Sequence, residues 1–153
     1  MKCPFCNPEP GVVLHEDGLI RVLLDSYPAS RGHLLVVPRR HVESWWELSG
    51  GEEKSALMAG MELAMEKLRE TLRPDAFNVG MNLGKAAGQT VPPHLHLHVI
   101  PRWEGGDCNH PPRGGVRKAV LDVADENLDL RERWVRNGLT EKEVERLRRA
   151  FKP

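Results

Sequence analysis

Three histidines spaced two apart, His94-Leu95-His96-Leu97-His98, run into Val99-Ile100 and form the most chemically loaded stretch of the chain. Imidazole titrates near neutrality, so one ring can be an unprotonated nucleophile while its neighbour donates a proton or holds a phosphate. Alternation with aliphatic residues predicts a strand whose imidazoles share one face, neighbours about 6–7 Å apart, while the leucines enter the core. The same rings could instead be a His-x-His metal site, or simply an exposed polar face. Upstream, Gly84-Lys85-Ala86-Ala87-Gly88-Gln89-Thr90 is small and flexible. Its backbone N–H groups, the Gln89 amide and the Thr90 hydroxyl could approach phosphate oxygens, although such a loop also serves as an ordinary turn. Cys3-x-x-Cys6 supplies half of a tetrahedral metal site, with His15, His33, His41, His94, Cys108 and His110 as candidates for the rest. Spacing does not choose among them, and a free thiol pair or a redox dithiol stays open, though no helix of thioredoxin type follows the motif.

The elements that must position these residues follow from periodicity and turn chemistry. Gly11 to His15 and Gly18 to Asp25 predict a hairpin, Ser26 to Arg31 a turn, and Gly32 to Val37 a strand stopped by Pro38. From Gly51 to Leu72, the apolar residues Leu57, Met58, Met61, Ala64, Met65, Leu68 and Leu72 trace one stripe of a long helix that ends before Pro74. Ala76 to Asn82 and Leu95 to Ile100 predict two more strands, the second closed by Pro101, with the glycine-rich loop between them. Thr140-x-x-Glu143 is a capping-box pattern opening a helix through Phe151, with Val144, Leu147 and Phe151 on one face. Three strands, a helix and two strands make an antiparallel α+β fold of five strands, one long helix and a C-terminal helix.

With 153 residues, one domain is the default. Lys plus Arg and Asp plus Glu stand at 22 each, which argues against a nucleic-acid or membrane-surface partner. No run reaches the roughly 18 apolar residues of a membrane span, and the N-terminus lacks a secretory pattern. Three cysteines, an odd number, suit a reducing compartment, and the expected location is cytoplasmic.

His94 to Ile100 resembles the signature of the histidine triad family, His-φ-His-φ-His-φ-φ with φ apolar, at every position. The similarity runs over roughly residues 3 to 107. Asp25-x-x-Pro28-x-x-x-Gly32-His33, followed by Pro38-x-x-His41, resembles the family's nucleoside-holding strand pair, and Gly88-Gln89-Thr90-Val91 resembles its phosphate loop. The resemblance implies a HIT-like fold with residues 1–107 as its core and residues 108–153 as a C-terminal loop and helix docked on the same domain. It further implies that His96 is the nucleophile, and that His98 binds the α-phosphate and assists proton transfer. Asp25 would take the ribose hydroxyls, Asn82, Gln89 and Thr90 would contact phosphates, and His33 would lie beside the triad. Zinc-bearing members imply a structural zinc on Cys3, Cys6, His41 and His94.

Pro92-Pro93 departs from the single residue that many members carry there, in the manner of the branch acting on dinucleoside polyphosphates. Pro101-Arg102-Trp103-Glu104-Gly105-Gly106-Asp107 is also similar to that branch, with one extra glycine. The implied activity is a nucleotidyl hydrolase or transferase forming a covalent nucleotidyl-histidine on His96, with diadenosine tetraphosphate or a relative as substrate. A nucleoside phosphoramidate hydrolase and a non-catalytic nucleotide-binding zinc protein are the alternatives. Methionines on the long helix leave apolar surface beyond what one sheet face needs, and the resemblance implies a homodimer.

Overall fold

The computed structural model describes residues 3–89, 93–105 and 138–153. Thr90, the middle of the proline-rich approach, Cys108, His110 and most of the expected 108–138 segment lie outside the described residues. Five strands form one antiparallel sheet: β1 Val13–Glu16, β2 Ile20–Leu24, β3 Leu34–Pro38, β4 Ala76–Gly80 and β5 Leu97–Arg102, in the spatial order β1-β2-β3-β5-β4. Helix α1, Gly50–Thr71, links β3 to β4, and helix α2, Glu141–Phe151, follows the undescribed segment. Among the described residues no helix is long and apolar enough to cross a membrane.

Strand alternation divides the sheet into two unlike faces. Ile20, Val22, Leu24, Leu34, Val36, Leu97 and Val99 join Leu57, Ala64 and Leu68 of α1 in the main core. Leu23, Leu35 and Val37 point the other way and pack with Phe5, Val12 and Val13. In β5 the same alternation sends His98 to that second face, away from α1. Helix α2 opens at Thr140, whose hydroxyl accepts from the Glu143 N–H while the Glu143 carboxylate accepts from the Thr140 N–H. It buries Leu147 and Phe151, and Arg148 donates to the carbonyls of Gly11 and Val13 at 2.8 and 3.0 Å, fastening the helix beside β1.

Several strand ends differ from the sequence expectation: β4 stops at Gly80 and not Asn82, and two strands run through the prolines expected to stop them. β3 includes Pro38, paired with Ile20, and β5 runs through Pro101 to Arg102. Pairing of β5 with β3 ends at Val99, so beyond that point β5 has a ladder partner on the β4 side alone among the described residues. The missing N–H of Pro101 then costs no ladder bond on the open side, and its carbonyl accepts from Ser30 Oγ at 2.8 Å. At its start, β5 begins at Leu97 and not Leu95. His94 and His96 sit on the extended approach, which Leu95 N–H ties to Val42 C=O at 2.7 Å.

Helix and sheet pack closely at Gly60, where an added Cβ would lie 2.7 Å from Val36 Cγ1 and 3.2 Å from Ile20 Cδ1. Both neighbours belong to buried strands and have little room to give. Gly60→Val should therefore cost about 1–3 kcal/mol or more, the usual size of overpacking. Urea unfolding measures it; an unchanged midpoint would mean that α1 sits farther from the sheet.

Candidate active site and metal centre

Past their paired segment, β3 and β5 extend side by side, which carries His41 next to His94. Their Nδ1 atoms are 3.1 Å apart. Cys3 Sγ lies 3.4 Å and Cys6 Sγ 3.5 Å from His94 Nδ1, and Cys6 Sγ lies 3.3 Å from His41 Nδ1. The edges of a tetrahedron with metal bonds of about 2.0–2.3 Å measure about 3.3–3.8 Å. The three sulfur–nitrogen separations fall in that range, the nitrogen–nitrogen one is slightly shorter, and all four atoms lie within 4.8 Å of one another, close to the spacing of a zinc ligand set. The donor chemistry agrees. His94 Nε2–H donates to the Pro38 carbonyl at 2.8 Å, leaving its Nδ1 lone pair free for a cation. Burial, then the neighbouring Cys3 thiol, raises the Cys6 thiol above its ordinary value, a cost that a divalent cation would offset by binding thiolates. Burial is also the largest cause that keeps His94 below the usual imidazole range, hence neutral and able to ligate.

The triad rings are buried, with exposures of 0, 7 and 5% for His94, His96 and His98. They do not lie on an open surface, and the His96 and His98 centroids are 4.9 Å apart, closer than ideal strand spacing. A neutral imidazole has one donor and one acceptor, so a partner of known polarity assigns the tautomer. His96 Nδ1 faces the His94 carbonyl at 2.8 Å. A carbonyl only accepts, so Nδ1 carries the hydrogen and Nε2 keeps the lone pair.

The neighbouring pair is fixed in the same way. Ala29 N–H donates to His33 Nδ1 at 2.9 Å, which puts the hydrogen of His33 on Nε2. That N–H points at His98 Nδ1, 2.9 Å away, and at Asp25 Oδ2, 3.3 Å away. His98 Nδ1 is therefore an acceptor and His98 Nε2 a donor. Burial, followed by the neighbouring His96, pushes His33 down to about 3. Burial, then His33 and His96, lowers His98 to about 3 against the opposing pull of Asp25. With His33 neutral, its contact with Asp25 is a hydrogen bond and not an ion pair.

The sequence-predicted residues are thus brought together unevenly. Cys3, Cys6, His41 and His94 form one cluster, and Asp25, His33 and His98 a second. Asp25 also accepts from the Tyr27 N–H through Oδ1 at 2.7 Å. Gln89 has both ends of its amide occupied, accepting from Gly84 N–H at 2.8 Å and donating to Glu43 C=O at 2.9 Å. It braces the glycine-rich loop against the 43–46 turn. Asn82 is half-buried just after β4.

Two positioning features escaped the sequence reading. Phe5, between the two cysteines, packs its ring 5.7 Å from His94 and 5.3 Å from His96, and its carbonyl accepts from Arg21 Nη1 at 3.1 Å. An aromatic inside the Cys-x-x-Cys motif was the available signal. Buried Glu53 accepts from Arg40 at 2.8 Å and from the Ser49 N–H and hydroxyl, and the Arg40 guanidinium foremost holds its carboxyl down to about 2. This anchors the residue preceding His41 to the first turn of α1, and sequence carries no signal for it.

The description "HIT domain" belongs to the family that matches residues 7–105. A Mycobacterium tuberculosis protein named AP-4-A phosphorylase is 42% identical over 108 residues, covering 71% of this chain and 54% of that protein. The chain therefore spans about half the length of that relative. An uncharacterized HIT-like protein of Methanocaldococcus jannaschii is 39% identical over 124 residues, covering 78% of this chain and 93% of its own. The crystal structure of a Zn-bound histidine triad family protein from Mycobacterium smegmatis superimposes with a TM-score of 0.67 at 30% identity, covering 99% of this chain and 94% of that one. A hypothetical histidine triad nucleotide-binding protein of Sulfolobus tokodaii shares the fold with a TM-score of 0.67 at 24% identity, covering 97% and 91%.

Cys6→Ser should weaken zinc binding by at least about tenfold and lower the unfolding temperature, as a chelator should for the unaltered protein. Metal analysis and calorimetry test this; full zinc content in the variant would show that the cluster is not the centre. A second expectation concerns acid. Unfolded histidines take up protons near pH 6.5, whereas folded His33 and His98 resist until about 3. Stability from this source is complete above pH 6.5 and is lost as the pH falls from 6.5 toward 3. In His33→Gln the urea midpoint should drop less between pH 7.5 and 4.5 than in the unaltered protein, and equal drops would contradict the assignment.

Proposed function

We propose, from the premise that the chain belongs to the HIT domain family, that it is a nucleotidyl hydrolase or phosphorylase cleaving dinucleoside polyphosphates at the α-phosphate through a nucleotidyl-histidine on His96. One observation carries the reading: the hydrogen bond from His96 Nδ1–H to the His94 carbonyl, which leaves Nε2 with its lone pair. That lone pair attacks the α-phosphorus while the P–O bond to the departing phosphate chain breaks with its electrons. In the second half, water or inorganic phosphate attacks the same phosphorus and the P–N bond breaks, returning the lone pair to His96, while an attacking water releases its proton to solvent. Water yields a nucleoside monophosphate, and phosphate a nucleoside diphosphate. The AP-4-A phosphorylase relative supports diadenosine tetraphosphate as substrate and phosphate as acceptor.

The tautomer of His98 bears on which leaving group suits the site. Neutral His98 offers Nε2–H to a phosphate oxygen as a hydrogen bond, but it has no proton to surrender without becoming an anion. A departing polyphosphate needs none, because its terminal group has a pKa of about 6 and leaves as an anion near neutral pH. The amine of a phosphoramidate must be protonated to leave. The site therefore favours polyphosphate over phosphoramidate, and His98 acts by stabilising charge more than by moving a proton. Asp25 is proposed to take the ribose and His33 to hold His98. The loop from Asn82 through Gln89 to Thr90 takes the phosphates, with Gln89 exchanging its internal partners for them.

Zinc on Cys3, Cys6, His41 and His94 would supply structural cross-linking. The ligands tie the N-terminal segment to the histidine beside the nucleophile. Residues 1–107 are proposed as the domain core with residues 108–153 docked on it, in a cytoplasmic homodimer that needs neither nucleic acid nor membrane.

His96→Asn should bind diadenosine tetraphosphate yet turn over at least about 10³-fold more slowly, because the covalent route is gone. A quench under alkaline conditions, followed by mass spectrometry, should find the adenylyl group on His96 of the unaltered protein. Near-normal turnover in the variant would remove the mechanism.

A further inference from the structure

Beside the triad, on the side of His94, the 43–46 turn and the 83–85 segment enclose a cleft of about 590 Å³. Gln89 spans it, bonded to Glu43 at one end and Gly84 at the other. Pro93, directly before His94, forms part of its lining. The volume is that of a small-molecule site, within the usual range of about 300–1,000 Å³. Its walls are unusual for a surface crevice. Trp46 is 85% exposed and Leu83 42% exposed, two of the five exposed large hydrophobic side chains among the described residues. Trp45 already holds Lys54 over its ring at 5.4 Å, whereas no ring contact accompanies Trp46 among the described residues. Lys85 brings a cation to the same cleft.

We infer that this cleft takes the second nucleoside of a dinucleoside polyphosphate, its base stacked on Trp46 and the connecting phosphates passing Lys85. The inference rests on the function proposed above. Asp25 and His33 stand at the His98 end of the triad, and the cleft, with Pro93 in its lining, stands at the His94 end, so a ligand with its first nucleoside at Asp25 can carry its second into the cleft. A flat apolar ring beside a cation suits a base joined to anionic phosphates, and stacking tolerates any base because every base has a π-face. Leu83 adds apolar area to the same walls. One loop thereby serves both halves of the substrate, through its backbone toward the α-phosphate and through Leu83 and Lys85 toward the leaving group.

The test compares diadenosine tetraphosphate with adenosine tetraphosphate, which has the same phosphate chain and lacks the second base. Binding is measured by calorimetry on the zinc-loaded His96→Asn protein, so that it does not depend on turnover, and kcat/KM is measured on the protein with His96 intact. Trp46→Ala should cut the preference for the two-base ligand by about 5- to 100-fold in both measurements, the size of one lost base–aromatic stack. Trp46→Phe should keep most of it, and Lys85→Gln should weaken both ligands. An unchanged preference in Trp46→Ala, with both ligands still bound, overturns the cleft assignment and leaves the proposed reaction standing. A preference that depends on Trp46 without any turnover by the His96 protein upholds the cleft and sinks the reaction. Failure to bind either ligand overturns both. If light scattering shows that Trp46→Ala changes the oligomeric mass while the preference stays, the cleft is an interface with a second copy and the assignment is wrong.

Discussion

A neutral imidazole carries one donor and one acceptor, and this site depends on which nitrogen is which. Four hydrogen bonds decide it. The Pro38 carbonyl takes the hydrogen of His94 Nε2, and the His94 carbonyl takes that of His96 Nδ1. Ala29 N–H donates to His33 Nδ1, and His33 Nε2–H donates to His98. Two of the partners are backbone carbonyls that cannot donate and one is an amide that cannot accept, so three assignments follow without ambiguity and the fourth follows from the third. The outcome is a lone pair on His94 Nδ1 facing the two thiols and His41, a lone pair on His96 Nε2 and a hydrogen-bond donor on His98 Nε2. Burial reinforces it, since desolvation keeps His33, His94 and His98 neutral, and a protonated ring would have no acceptor nitrogen left.

The fold makes these bonds possible by dividing labour between the faces of one sheet. The face under α1 is aliphatic and close-packed, with Gly60 allowing the helix to approach Val36 and Ile20. The opposite face carries His98 and, among the described residues, is partly covered by the Cys3–Cys6 segment through Phe5. Phe5 there packs against the rings of His94 and His96, so the thiol–imidazole cluster and the middle histidine share a packing partner. Any loosening of the Cys3–Cys6 segment reaches His96 through one aromatic ring. Arg21, donating to the Phe5 carbonyl from β2, anchors that segment from below.

Much of this could be read from the chain alone, because alternation and capping are local. The period of two in His94 to Ile100 sorted imidazole from leucine, and the apolar stripe located α1 to within a residue at each end. Thr140-x-x-Glu143 located the start of α2. The prolines misled at strand ends, since a proline stops a strand only where its missing N–H would have met a partner, and partners belong to neighbouring strands.

The residue types therefore determined the chemistry on offer: three imidazoles in alternation, a thiol pair and a flexible loop, on an antiparallel α+β frame. Tertiary structure decided which groups meet and which nitrogens donate. Choosing His41 and His94 from the candidate ligands on geometry required β3 and β5 to extend side by side across 53 residues of chain. Assigning the tautomers required knowing whether a carbonyl or an N–H stands opposite each nitrogen. Gln89 met backbone at both ends, and Trp46 was left bare over a cleft. Each of these is a contact between segments distant in sequence, whose registration depends on how whole elements pack, and no local pattern encodes it.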